Sequence, residues 1–344
     1  MCTTVKASNP LVRCTLLAAL SFLVLPPALA AQPDLRQQID ALTTATSLDR
    51  AGIQPWHMRL SFQLFDLQGK PQETGTIEEW WAAPDRARVV ITSPSFNETL
   101  PGTPVTNGRE AYLIHLLLKQ VVHPMPPLHL EYFDVTVAPR TFGQKSLSCA
   151  TLTAKDTHEQ ADEYCTDPMT AALRLVMLEG ICSHALNELS TFANTQLAMT
   201  HTIAYWGHTA IQGHIESIEP FDPEHSKLAL GPVIPSQDGV TSPHLLTRIS
   251  PIYPGKARAS RQNGFAVLHF HILPNGRVSS IDIIACSAPA FADASTDAVR
   301  RWGYIPMKRD GSAAEAQATL TVTYLLDPQS SDTRLLLHED TYPE

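Results

Sequence analysis

Apolar and polar residues recur along this chain with two different periods, and each change of period marks an element. Between residues 31 and 51, Leu35, Ile39, Leu42 and Ala45 fall at helical spacing. From Trp56 the period drops to two. Met58, Leu60, Phe62 and Leu64 alternate with His57, Arg59, Ser61 and Gln63, the pattern of a strand with one buried face. Asp66-Leu67-Gln68-Gly69 supplies a turn. Strands at 74–82 and 86–92, parted by Ala83-Pro84-Asp85, extend an antiparallel meander. Leu113, Leu116, Leu117 and Val121 predict a helix over 111–122, ended by Pro124-Met125-Pro126-Pro127. Further strands are expected at 145–154, 161–166 and 172–179, with a closing pair at 196–206 and 208–220.

Periodicity then lapses. Residues 229–247, with Gly231-Pro232 and Pro235-Ser236-Gln237-Asp238-Gly239, have turn chemistry and read as a linker. Beyond it Ala266, Leu268, Phe270 and Ile272 share one face of a strand over 265–273. Pro274-Asn275-Gly276 holds an Asn-Gly turn, a strong hairpin signal, and 277–285 returns as a second strand. Ser287 is placed to cap a helix in which Phe291, Ala294, Ala298 and Trp302 line one side. Leu320, Val322, Tyr324 and Leu326, alternating with threonines, make a last strand. The expected fold class is α+β. An antiparallel β-rich N-terminal domain with helices (31–228) precedes a small ββαβ domain (248–328) and a polar tail (329–344).

The first 30 residues stand apart. Lys6 and Arg13 precede an apolar run from Leu16 to Leu25, followed by Pro26-Pro27 and Ala28-Leu29-Ala30. A basic start, a short apolar core and an A-x-A site form a secretory signal, and the run is shorter than the ~20 residues a spanning helix needs. Cleavage after Ala30 would release the chain into the periplasm; an uncleaved inner-membrane anchor is the alternative. Cleavage removes two bases, Lys6 and Arg13, and no acid, moving the formal charge from −9 to −11. Such a balance argues against a nucleic-acid partner, which needs a basic face.

Export also bears on the cysteines. Cys149 and Cys165 flank a hairpin turning near residue 157 and are equidistant from it, so they face each other across the ladder. A disulfide between them is expected in an oxidising compartment. Cys182 and Cys286 fall in different domains, and no disulfide is assigned between them. Fourteen histidines invite a metal reading. His269 and His271 share a strand face at ~7 Å, but two ligands with no third at a recognised spacing make no zinc site; they read as partly exposed sheet residues. No nucleophile elbow, His-Glu-x-x-His or phosphate loop occurs in the sequence. Glu78 and Glu79 are adjacent on a strand and point to opposite faces, so they cannot act as an acid–base pair. The expectation is a protein with no catalytic residues, metal or cofactor.

Two resemblances sharpen this. Ser250-Pro251-Ile252-Tyr253-Pro254, Gly264-Phe265-Ala266-Val267, Asn275-Gly276-Arg277-Val278, Phe291-Ala292-Asp293-Ala294 and Trp302-Gly303-Tyr304-Ile305-Pro306 follow the spacing of the C-terminal domain of TonB-type energy transducers. Glu78-Glu79-Trp80-Trp81 followed by Pro84-Asp85-Arg86-Ala87-Arg88 resembles the opening of LolA-like proteins, which form a half-open barrel lidded by helices. The first resemblance implies docking by β-augmentation: an extended segment of an outer-membrane transporter or similar envelope protein adds to an open sheet edge. Carried over, the partner-binding residues are Thr319, Thr321, Thr323 and Leu325 along the last strand, with Ser250, Pro251, Tyr253 and Pro254 beside it. An open edge also allows a homodimer. The second resemblance implies a lipid or lipoprotein in the N-terminal domain, and an envelope scaffold is the third reading. The family's Pro-rich spacer has no counterpart here, and Ser250 stands where its best-known members have Gln. Binding is therefore implied more strongly than energy transduction.

Overall fold

The computed structural model describes residues 35–126, 128–156, 158, 160–178, 180–233, 238–327 and 333–343. The expected signal segment lies outside them. Among the described residues no helix is long and apolar enough to cross a membrane.

The N-terminal part is one antiparallel sheet of eleven strands with two helices on one face. Helix α1 (Leu35–Thr46) leads into β1 (Trp56–Phe65), β2 (Pro71–Ala83), β3 (Arg86–Thr92) and β4 (Asn97–Leu100). Helix α2 (Arg109–Val122) follows, then β5 (Phe133–Phe142), β6 (Lys145–Ala154), β7 (Gln160–Thr166), β8 (Leu173–Leu178), β9 (Cys182–Phe192), β10 (Thr195–Tyr205) and β11 (His208–Pro220). The spatial order is β4-β3-β2-β1-β11-β10-β9-β8-β7-β6-β5, so β11, the last strand of this part, docks on β1 between two meanders. The alternation in β1 is realised: Trp56, Met58, Leu60, Phe62 and Leu64 are all buried. They pack under Leu113, Ile114, Leu117 and Val121 of α2. Glu79 and Trp81 point into this core, while Trp80 stacks outside on His57 at 4.7 Å.

Strands β4, β5 and β9 were not evident in the sequence. Seven of the ten β5 residues from 133 to 142 are exposed, because β5 is an edge strand and carries little apolar periodicity. The Cys149–Cys165 disulfide is present, between directly opposed residues of β6 and β7.

The linker is partly pinned. Gly231 exchanges both backbone hydrogen bonds with Ala87, at 2.8 and 3.0 Å. Short strands β12 (Val240–Thr241) and β13 (His244–Thr247) then lead into the C-terminal module. This comprises α3 (Gly255–Ala259), β14 (Gly264–Ile272), β15 (Val278–Cys286), α4 (Pro289–Val299), the short β16 (Gly303–Ile305), β17 (Lys308–Arg309) and β18 (Ser312–Ala313), and the long β19 (Ala316–Leu326) and β20 (Thr333–Pro343). The expected Asn-Gly hairpin joins β14 to β15, and Gly276 sits at φ 76°, where a side chain would be strained. A Cβ at Gly264 would collide with the Phe291 ring, so the start of β14 tolerates only glycine under α4.

Two expectations fail here. The main sheet has four strands, ordered β15-β14-β19-β20, because residues 333–343 form a full partner strand and not a polar tail. The helix cap is Ala288 with no side-chain bond. The Ser287 hydroxyl instead receives the Phe265 N–H at 2.9 Å, tying β14 to the start of α4.

Candidate protein-docking site

Every residue of β14 is buried, so both faces of the module's sheet are covered at this strand. On one face Leu268, Phe270 and Ile272 of β14 and Leu320, Val322 and Tyr324 of β19 pack with Phe291, Val299 and Trp302. On the other, Phe265 and Val267 join the core of the N-terminal part. The seam is polar as well as apolar. Arg109 donates to the Ile284 carbonyl and to the Phe65 carbonyl, both at 2.8 Å, bridging the two parts. Gly108 N–H donates to Asp282 Oδ2 at 2.8 Å. His269 and His271 belong to this seam, each 2% exposed, which corrects their expected exposure. His269 Nε2 donates to Gln317 Oε1 at 2.9 Å. Burial, and then the neighbouring His271, push the His269 pKa down to about 4, so the ring is neutral.

Where β14 is clamped, β19 and β20 stand away. A cleft opens between their inner face and α2, β7 and β8. It consists of two adjoining cavities of about 290 and 820 Å³ that share Asp162, Leu178, Thr321, His338 and Asp340. Thr319 and Thr321 line the smaller and Thr321 and Thr323 the larger. The expected threonine row is therefore assembled, but it faces this cleft and not open solvent.

Nor is β19 an open edge. β20 pairs along its whole length, from Ala316↔Pro343 to Leu326↔Thr333, with Leu325 opposite Arg334. The charges of Arg334, His338, Glu339 and Asp340 disguised this strand. The legible signal was Leu335 and Leu337, two residues apart, which pack against the module core. β20 is fastened to the core by Glu339, whose Oε1 receives the Tyr304 hydroxyl at 2.9 Å. Burial raises the Glu339 pKa and holds the Tyr304 phenol well above its usual range.

The second group of expected residues lies elsewhere. Tyr253 is 8% exposed, on the opposite face of the sheet from the threonines. Its hydroxyl donates to the Gln262 carbonyl at 2.7 Å, and its ring meets Phe291 and Tyr324 edge-on. Pro251 is buried, Pro254 begins α3, and only Ser250 and the 76%-exposed Ile252 face outward. The stretch before them is held by Trp302, whose Nε1 donates to the Ile249 carbonyl at 2.8 Å and whose ring lies under Arg248. Packing thus explains why Tyr-Pro at one end of the module accompanies Trp-x-Tyr at the other. These residues build the module and do not join Thr319, Thr321 and Thr323 in one surface.

A helix-backed antiparallel sheet of four strands, closed by the β19–β20 pair, defines the module as a small α+β sheet-and-helix fold. Residues 249–326 match the family described as Gram-negative bacterial TonB protein C-terminal. Among curated proteins the chain is similar to protein TonB of Klebsiella pneumoniae, at 29% identity over 106 residues, covering 30% of this chain and 40% of that protein. It is also similar to protein TonB of Escherichia coli strain K12, at 36% identity over 69 residues, covering 20% of this chain and 29% of that protein. The chain thus spans well under half of these relatives. Among solved structures, a LolA superfamily protein of Nitrosomonas europaea shares 6% identity at a TM-score of 0.33, covering 54% of this chain and 94% of that one.

Proposed function

We propose that this chain is a non-catalytic docking protein of the bacterial envelope, acting in the periplasm, whose β19 edge receives an extended segment of an outer-membrane transporter or a similar envelope protein. The observation that carries the reading is the uninterrupted register of β19 with β20. An eleven-residue strand recognised through its backbone is the form that a β-augmenting ligand takes. The incoming strand replaces β20, so docking is a strand exchange and not a simple addition. Apparent affinity is then reduced by the fraction of molecules in which β20 is released. Thr319, Thr321, Thr323 and Leu325 present the backbone and one side-chain face to the incoming strand; Ser250, Pro251, Tyr253 and Pro254 support the module.

Calorimetric titration of the full chain with peptides of the extended transporter segment that TonB-type transducers bind, the TonB box, tests this. The expected result is saturable binding that tightens when the chain is ended at Leu326. Absence of binding by both forms would overturn the reading.

A second reading has its own observation. A groove of about 420 Å³ runs between α1 and strands β5 to β7, lined by Ile39, Leu42, Ala45, Met125, Val137 and Ala150. Its apolar walls suit an acyl chain, each buried CH₂ being worth about 0.8 kcal/mol. On this reading the N-terminal part carries a lipid or lipoprotein while the module docks.

A further inference from the structure

The large sheet ends at β5, which pairs with β6 alone among the described residues. Sheet edges in folded proteins are usually short, bulged or studded with lysine, because unpaired backbone groups invite another strand. β5 is ten residues long and its register with β6 runs unbroken from Phe133↔Ala154 to Phe142↔Lys145.

The phase of the ladder can be read. Lys155 N–H donates to the Tyr132 carbonyl at 3.1 Å, which makes the even-numbered residues of β5 the hydrogen-bonded partners of β6. The Cα atoms of Cys149 and Cys165 are 4.0 Å apart, the spacing of a non-hydrogen-bonded pair, so Cys149 turns its backbone toward Ala138. Both observations leave the N–H and C=O groups of Val135, Val137 and Thr141 pointing outward. Pro139 has its missing N–H on this outer side, where it costs β5 nothing and removes one bond from an added strand.

The charges along this edge are symmetric about its centre. Asp134 and Arg140 each lie three residues from Val137, and both are exposed. We propose that β5 pairs antiparallel with β5 of a second copy of this chain, about a two-fold axis at Val137. In that register Asp134 of each copy lies opposite Arg140 of the other, Val135 opposite Pro139, and Val137 opposite itself. Arg140 already binds Glu163 through Nε at 2.7 Å, and its terminal nitrogens remain as donors to the incoming carboxylate. Cross-strand opposite charges stabilise a pair and like charges weaken it, and this spacing makes the edge complementary to itself. Val137, 53% exposed as a monomer, lines the α1 groove, so the axis brings the two grooves end to end. The pairing uses neither β19 nor β20 and is independent of the proposed docking.

Sedimentation equilibrium of the full exported chain tests the proposal with two substitutions at the axis. The chain is expected to dimerise, and Val137→Asp to raise the dissociation constant by about tenfold or more, through like charges directly opposed. Val137→Cys is expected to give a disulfide-linked dimer on air oxidation, since a hydrogen-bonded pair sets Cα atoms about 5.5 Å apart. The parent chain, in which Cys182 and Cys286 form no disulfide among the described residues, is the control. A monomer at every concentration, an unchanged dissociation constant for Val137→Asp, or no cross-linking of Val137→Cys would each overturn it.

Discussion

Glu79 sits in an environment unlike that of its sequence neighbour. Its strand neighbour Glu78 is half-buried on the outer face, as adjacent strand residues must diverge. Glu79 is sealed in the core, its Oε2 has no hydrogen-bond partner, and burial, then the nearby Asp49, push its pKa up to about 8. A carboxyl whose folded pKa is raised holds its full stability contribution below the unfolded value near 4.5 and loses it as pH rises through about 8. Three buried histidines act in the opposite sense. His184, His201 and His269 have lowered pKa values, chiefly from burial, so the fold loses stability as pH falls from 6.5 toward about 4. His184 Nε2 and His201 Nδ1 lie 2.9 Å apart, and His201 Nε2 donates to the Ala198 carbonyl at 2.8 Å, an arrangement that requires at least one of the two rings to be neutral. Glu79→Gln removes one limb of this profile. In denaturant titrations the substituted chain should be more stable than the parent above about pH 4.5, by an amount that grows toward pH 8 and reaches a few kcal/mol. A difference between the two chains that does not change with pH would contradict the assignment.

At the scale of elements, β20 is the strand on which the account turns, and its attachment can be weakened alone. Glu339→Ala removes the acceptor of the Tyr304 hydroxyl and should cost about 1 kcal/mol. If β20 must leave before a partner binds, that loss raises the released fraction, and affinity for a TonB-box peptide should increase several-fold by calorimetry. Unchanged or weaker binding would mean that β20 is not displaced. The same strand shows where sequence reasoning reached and where it stopped. β1, β14 and β19 were legible because one face of each meets a helix-backed core and writes an unbroken period of two. The Asn275-Gly276 turn was legible from its chemistry. β5 and β20 were hidden for the same physical reason: edge strands bury little and carry charge, so Asp134, Arg140, Arg334 and Asp340 mask them. His269 and His271 were misplaced because the alternation that makes Phe265 and Val267 apolar was read as a solvent face. Their apolar neighbours were the available sign of a covering surface. Tyr253 was legible as a family residue, and only its contacts with Gln262, Phe291 and Tyr324 reveal that it supports the module from within.

In the whole molecule, the N-terminal sheet does for the module what a separate partner would otherwise do. Phe265, Val267, Ile284 and Ala285 share one core with Leu113 and Ile211, and Trp206 lies edge-on to Phe265 at 5.2 Å. One face of the module is thereby withdrawn from binding, and β14 is locked while β19 and β20 border an open cleft. Exchange should accordingly be confined to the last strand pair. Hydrogen exchange across the full chain, measured with and without a saturating TonB-box peptide, addresses this most directly. The account predicts that amides in β20 lose protection when the peptide binds, while those of β14 and β19 keep or gain it. Retained protection throughout β20 in the bound state would contradict strand exchange as the mode of docking.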